Sequence, residues 1–239
     1  GFQLWRHSRK PAPLDSGKQL WLLVAVVLGA AAGARGLAWL ETPFDPLTGA
    51  WMMPGKTIAG GLLGGWAAIE FAKSRLGIRS RTGDVYVLPL IVGIALGRIG
   101  CFLAGLDDHT YGTATTLVWG VDFGDGIARH PTQLYEALFV LGLLPLGLLL
   151  RRIHFAWPAG IAFQGFMAAY CAFRVAVEVI KPTLKLYAGL SAIQWACLIG
   201  LGVAMWQIRQ LLTQITPGAE ALAAQSGAKG AAMLGKDFN

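Results

Sequence analysis

The sequence predicts an all-α fold, a polytopic bundle of transmembrane helices, and three observations predict it. Hydrophobic residues make up 55% of the 239 positions and charged residues only 14%, well below the roughly 25% of a soluble domain. Apolar residues gather into six runs, at about 19–40, 56–73, 84–104, 133–150, 157–180 and 189–211, each close to the ~20 residues that cross a bilayer. Basic residues cluster between those runs rather than inside them. Lipid satisfies no backbone hydrogen bond, so each run must close its own as a helix.

Residues 1–18, with Arg6, Arg9, Lys10 and Lys18, form a basic segment with no apolar core of the kind a signal peptide needs. The first span carries one charge, Arg35, and the connection after it has Glu41 and Asp45 with no basic residue before Lys56. The second span contains Gly60-Gly61-Leu62-Leu63-Gly64-Gly65, small residues that let membrane helices approach closely. Lys73, Arg75, Arg79 and Arg81 follow it. The third connection, 105–132, is acidic: Asp107, Asp108, Asp122 and Asp125 stand against Arg129. Arg151 and Arg152 follow the fourth span, while Lys181 and Lys185 after the fifth are the one departure from the alternation. Lys and Arg favour the cytoplasmic side, so both ends of this chain are expected inside and the acidic loops outside. A transmembrane domain is thus expected over 19–211, with an external loop at 105–132. The Ala/Gly/Ser-rich stretch 212–239 reads as a mobile cytoplasmic tail.

Several functions are excluded. The net charge of +7 comes from dispersed loop clusters, without the aromatic-interleaved basic patch of a nucleic-acid binder. Cys101, Cys171 and Cys197 contain no CxxC pair, which argues against a disulfide framework or a zinc site. No cofactor or metal is expected. No inverted repeat or pair of broken helices points to a transporter.

Ionisable residues inside spans are costly and are functional candidates by default. Arg98 lies near the external end of the third span, in Gly97-Arg98-Ile99-Gly100-Cys101-Phe102, where the glycines leave room for a backbone or a ligand. Arg174 and Glu178 are one helical turn apart, with Tyr170 a turn earlier on the same face. These residues either pair to fix helix packing or serve an anionic ligand. Arg35 either snorkels to the interface or joins them.

The external loop is too polar, aromatic and glycine-punctuated for a plain tether and reads as a small folded lid. It contains Asp107-Asp108-His109-Thr110-Tyr111-Gly112, Trp119-Gly120-Val121-Asp122-Phe123-Gly124-Asp125-Gly126, and Arg129-His130-Pro131-Thr132-Gln133-Leu134-Tyr135-Glu136. Guanidinium binds phosphate through two parallel hydrogen bonds, so arginines facing such a loop suit a phospholipid head group. His130 is either a base near neutral pH or a loop anchor, and His109 either an acid/base group or part of an exposed turn.

The Gly97–Phe102 segment followed by the Arg129–Glu136 run resembles the signature of the bacterial prolipoprotein diacylglyceryl transferase family. Gly60-Gly61-Leu62-Leu63-Gly64, the helix from Tyr170 to Glu178, and Leu190-Ser191-Ala192-Ile193-Gln194 fall in family order, so the resemblance covers roughly residues 25–205. It implies a seven-span protein of the bacterial inner membrane with one helix ahead of Gly1. It also implies transfer of the diacylglyceryl group from phosphatidylglycerol to a lipobox cysteine of an exported precursor, with no cofactor. Arg98 and Arg174 are then the catalytic arginines, with Tyr170 and Glu178 supporting the second. Arg129, Gln133, Tyr135 and Glu136 are expected to line the substrate site, and His130 or His109 to supply the base.

Five positions depart from the family pattern. Ile58-Ala59 precede the glycines where family members usually have a Phe-His pair, and Cys101, Ala104 and Leu106 stand in place of Asn, Asn and Glu. Cys101 reads as an apolar filler or as an acylated nucleophile. The departures keep the arginines and remove part of the acceptor chemistry. Two further readings are therefore carried: a paralogue with a non-lipoprotein acceptor, and a non-catalytic lipid-binding subunit.

Overall fold

The computed structural model describes residues 15–41, 55–152 and 158–213, and the side chains of 148–152 are not among them. Six helices occupy the six expected spans: α1 Ser16–Glu41, α2 Ile58–Leu76, α3 Val87–Ala104, α4 Thr132–Arg152, α5 Ile161–Val177 and α6 Ala192–Thr213. Four of them, with their flanking turns, are long and apolar enough to cross a membrane unaided, namely Ser16–Glu41, Gly83–Asp108, Ile161–Ile180 and Ala192–Thr213. The second helix falls short because Glu70, Lys73 and Arg75 sit in its last turns, and the described apolar part of the fourth is Thr132–Gly147. Leu28, Leu96, Leu103, Ile199 and Trp206 are exposed, the outward apolar surface a protein shows to lipid rather than water. Most of the segments expected as a basic N-terminal stretch and a tail lie outside the described residues.

Helices α1 and α2 form a hairpin whose backbones touch. A Cβ added at Gly33 would stand 2.3 Å from the Gly60 carbonyl oxygen, and one at Gly64 would stand 2.4 Å from that of Gly29. The glycine run therefore serves helix packing. Thr57 starts α2 by accepting from the Gly60 N–H at 3.1 Å, and its own N–H donates to the Ala34 carbonyl at 3.1 Å.

The last helix begins with a reciprocal cap: Gln194 N–H donates to Ser191 Oγ at 3.1 Å, and Ser191 N–H donates to Gln194 Oε1 at 3.0 Å. Glu41, buried at the end of α1, accepts from the Ile193 N–H at 3.0 Å and ties the two helices together. At the other end of the bundle, Asp84 performs the same task for α5. Its two oxygens accept from the Gly160 N–H at 2.7 Å and the Phe163 N–H at 2.9 Å. The helix thus starts at Ile161, after a left-handed Gly160, rather than at 157.

The loop between α3 and α4 is a folded cap, as its composition predicts. A two-residue antiparallel ladder pairs β1 Val121–Asp122 with β2 Ala128–Arg129. Asp122 Oδ1 closes the turn by accepting from the N–H groups of Gly124, Asp125 and Gly126. Phe123 packs between Phe102 and Tyr111. The cap is stitched to the end of α5, because the Thr113 N–H and hydroxyl both donate to the Ile180 carbonyl.

Candidate functional site

Three helices end beneath that cap, and each brings one ionisable residue to the same point. Helix α3 brings Arg98, α4 brings Glu136 and α5 brings Arg174, all at least nine-tenths buried. Glu136 is the hub. Its Oε2 lies 2.8 Å from Arg98 Nη2 and 3.4 Å from Arg174 Nη1, and its Oε1 accepts from the Tyr170 hydroxyl at 2.7 Å. Arg174 Nη2 reaches Glu178 Oε2 at 2.6 Å. The turn-apart spacing of Tyr170, Arg174 and Glu178 therefore acts as the sequence suggests, presenting one face to one cluster.

Burial of such charges is tolerated only when they are paired, and the pairing here is incomplete. Arg98 Nε, Arg174 Nε, Glu178 Oε1 and both polar atoms of the Gln133 amide are buried without a partner among the described residues. Such orphans are rare in a finished structural network and mark places where a ligand or water completes it. Two arginines balance two glutamates, so the cluster itself is close to neutral. Positive charge in excess comes from Lys181, which follows the short 3-10 turn Glu178–Ile180. Burial, and after it Arg174 and Arg98, pushes its amine down to about 8. It makes no ion pair among the described residues, and in the sequence it stands out only as a basic residue on the acidic side.

The remaining expected residues divide. Gln133 is buried one helical turn before Glu136, with no hydrogen bond from its amide among the described residues. Arg129 does not: it faces away in a bidentate pair with Asp125, at 2.6 Å for each bond, and lies 5.0 Å over the Tyr111 ring. The pair holds the Asp125 carboxyl below the usual range and raises Arg129. Tyr135 and His130 form a loop anchor, with Trp119 Nε1 donating to the Tyr135 hydroxyl at 2.9 Å and that hydroxyl 3.2 Å from His130 Nδ1. His109 caps a 3-10 turn in the left-handed conformation and is exposed. Its neighbour Asp108 accepts from the Thr110 hydroxyl, and both Asp108 and Arg98 come within reach of Cys101. Arg35 is exposed with no ion pair among the described residues. The glycines beside Arg98 open onto empty space rather than a packed neighbour, since nothing lies within 4 Å of a Cβ built at Gly97 or Gly100. No group of three metal-ligating side chains occurs among the described residues.

Fold and site together define a polytopic, all-helical membrane protein with a buried arginine–carboxylate–tyrosine cluster under a folded cap. The chain belongs to the prolipoprotein diacylglyceryl transferase family, whose model matches residues 3–209, and it is a membrane transferase of that family. It is similar to the phosphatidylglycerol–prolipoprotein diacylglyceryl transferase of Nitratidesulfovibrio vulgaris strain DP4, with 32% identity over 226 residues that cover 85% of this chain and 82% of that protein. It is likewise similar to the enzyme of the same name from Geobacter sulfurreducens, with 37% identity over 132 residues. There the match covers 53% of this chain and about half of the relative, 48%. The Bordetella parapertussis enzyme is 37% identical over 151 residues, covering 59% of this chain and 55% of that protein.

Proposed function

We propose that the chain moves the diacylglyceryl group of phosphatidylglycerol onto the lipobox cysteine of an exported precursor, at the external face of a bacterial inner membrane. The observation that carries this reading is the convergence of Arg98 and Arg174 on one buried carboxylate, with their Nε donors unpartnered among the described residues. A phosphate arriving under the cap would take those donors, and Lys181 would supply the net positive charge that the balanced cluster lacks. The alternation of basic and acidic connections supports the external placement.

In the reaction the acceptor sulfur forms a bond to the glycerol carbon that bears the phosphate ester. The carbon–oxygen bond at that carbon breaks, and its electron pair leaves on glycerol phosphate. Charge accumulates on the leaving phosphate, where fixed guanidinium donors are worth most. Glu136, steadied by the Tyr170 hydroxyl, and Glu178 hold the guanidinium groups in place before substrate arrives, so little reorganisation is needed at the reacting moment. The thiol proton passes to a base at the rim of the cap. Of the two histidines, His109 has no ring hydrogen bond among the described residues, whereas His130 is engaged by Tyr135. His109 is therefore assigned as the base.

The test is transfer of acyl label from phosphatidylglycerol to a lipobox peptide by the purified protein, with Arg98→Ala and His109→Gln alongside. Label on the peptide that is lost in Arg98→Ala supports the reading. Full activity in Arg98→Ala refutes the site. Consumption of lipid without labelled peptide would move the acceptor to another class of molecule, as the replaced residues at Ile58, Ala59, Cys101, Ala104 and Leu106 allow.

A further inference from the structure

Two turns of the folded cap differ in character. The turn that runs from Asp122 to Gly126 is closed by the Asp122 carboxylate and carries the Asp125–Arg129 ion pair, so its surface is polar. The other is closed by the Gly120 N–H, which donates to the Leu117 carbonyl at 2.9 Å. Its two central residues are Val118 and Trp119, and no ionisable residue occurs from Gly112 to Val121. Turn tips in water favour Gly, Asn, Asp, Ser and Pro at such positions. Here Val118 is 99% exposed and Trp119 59%, with Leu117 exposed beside them.

A single exposed apolar residue is ordinary, but three in succession at an uncharged tip form a patch of the kind that meets a partner. The neighbouring structure says which partner. Trp119 Nε1 donates to the Tyr135 hydroxyl at 2.9 Å, and Tyr135 stands in the first turn of α4. One and two turns further along the same face come Leu138 and Leu141, both exposed, while Glu136 and Val140 lie on the buried face. In a membrane bundle the exposed apolar stripe of a helix faces lipid. The Leu117–Gly120 turn prolongs that stripe at the cap end of α4. Tryptophan and tyrosine, each an apolar ring with a polar tip, are the side chains suited to the boundary between lipid and water.

We propose that the Leu117–Gly120 turn is a membrane foot for the cap, and that its partner is the lipid surface of the leaflet on the cap's side. Val118 enters the outermost acyl region, Trp119 and Tyr135 sit at the level of the headgroups, and the turn from Asp122 to Gly126 faces water. The contact is apolar, so it does not read headgroup charge. The foot fixes the cap against the bilayer at Tyr135, the residue next in the chain to Glu136. It rests on no step of the transfer reaction.

The probe is a benzophenone amino acid in place of Val118 in the full chain, in nanodiscs of phosphatidylglycerol or of phosphatidylcholine, with a lipobox peptide present. The same amino acid in place of Asp125 is the comparison, and adducts formed on irradiation are identified by mass. Lipid adducts at position 118 should exceed those at 125 about fivefold or more, and the two lipids should label within about twofold of each other, as an interfacial apolar contact requires. Limited proteolysis in the same nanodiscs supplies a second readout. A side chain this exposed to water could be changed without effect. In the foot, Val118→Asp lifts the turn from the lipid and should speed cleavage within 112–131 about fivefold, whereas Val118→Leu should stay within about twofold of the parent. The unfolding midpoint of the bundle should be the same in both variants, which reports that they remain folded. Peptide adducts at position 118 in place of lipid would make the turn a docking site for the acceptor and overturn the proposal. Adducts to a second copy of the chain would do the same. So would equal lipid labelling at 118 and 125, labelling confined to phosphatidylglycerol, or cleavage unmoved by Val118→Asp.

Discussion

Glu136 Oε2 stands 2.8 Å from Arg98 Nη2 and 3.4 Å from Arg174 Nη1, so one carboxylate oxygen spaces two guanidinium groups that belong to different helices. With the Tyr170 hydroxyl on its other oxygen, this side chain is both the lock between α3, α4 and α5 and the template that sets the separation of the arginines. Packing and chemistry are therefore coupled at a single residue.

Glu136→Gln is expected to damage both. The amide keeps the shape but leaves Arg98 and Arg174 buried and facing each other without the shared charge. Breaking a buried pair from one side costs about 3–5 kcal/mol. A lower unfolding midpoint in detergent and loss of transfer activity by ~100-fold or more should appear together. An unchanged midpoint would mean that Glu136 does not hold the helices.

The cap offers a contrast. Tyr135→Phe removes the hydroxyl that links Trp119 to His130 without touching the cluster. One or two neutral hydrogen bonds are worth about 1 kcal/mol each, so faster proteolysis of the 105–131 loop is expected, with transfer activity within about threefold. A loss as large as that of Arg98→Ala would place His130 at the reacting atoms and displace His109 as the base.

The helices were legible in the sequence because the requirement that makes them, a run of apolar residues long enough to cross lipid, is local. The pairing of Arg174 with Glu178 was legible for the same reason, since helical geometry fixes what lies four residues apart. The role of Glu136 was not. It sits at a helix start beside a polar loop, where a carboxylate is unremarkable, and only the crossing of three helices makes it the hub. Arg129 shows the converse, because in sequence it adjoins the most specific motif. Yet the short ladder turns it toward Asp125 and Tyr111, and no pattern in the chain encodes that turn. Lys181 looked like a topological exception, and its meaning depends on Arg174 and Arg98 being close in space.

Asp84 should be a stability residue and nothing more. Its carboxylate accepts from two N–H groups at the start of α5, at the end of the bundle away from the cluster. Asp84→Ala leaves both donors unsatisfied, and lost caps of this kind cost about 1 kcal/mol, up to 2. The unfolding midpoint is expected to fall while the Michaelis constant for donor lipid stays unchanged. A change in donor affinity without a change in midpoint would contradict the assignment.

Lys181 gives the pH dependence. Its amine is lowered to about 8 by burial first and by Arg174 and Arg98 after it. Below that value it is protonated and adds the charge that the balanced cluster lacks. As pH rises through about 8 the charge is lost, so donor binding should be constant at lower pH and weaken above it. The expected loss is roughly fivefold, equivalent to about 1 kcal/mol for a half-buried charge pair. Binding of phosphatidylglycerol rather than turnover is the quantity to measure, because the acceptor thiol titrates in the same range. Lys181→Arg, always protonated, should bind equally at pH 7 and pH 9.5, and Lys181→Met should bind weakly at both. Linkage gives a second sign. The unfolded chain holds this proton up to about 10.5, so the cost of the buried ammonium is complete below about 8. Stability is then regained between the two values as pH rises. A parent protein whose donor affinity is flat across pH 8 while Lys181→Met binds as tightly would remove Lys181 from the site.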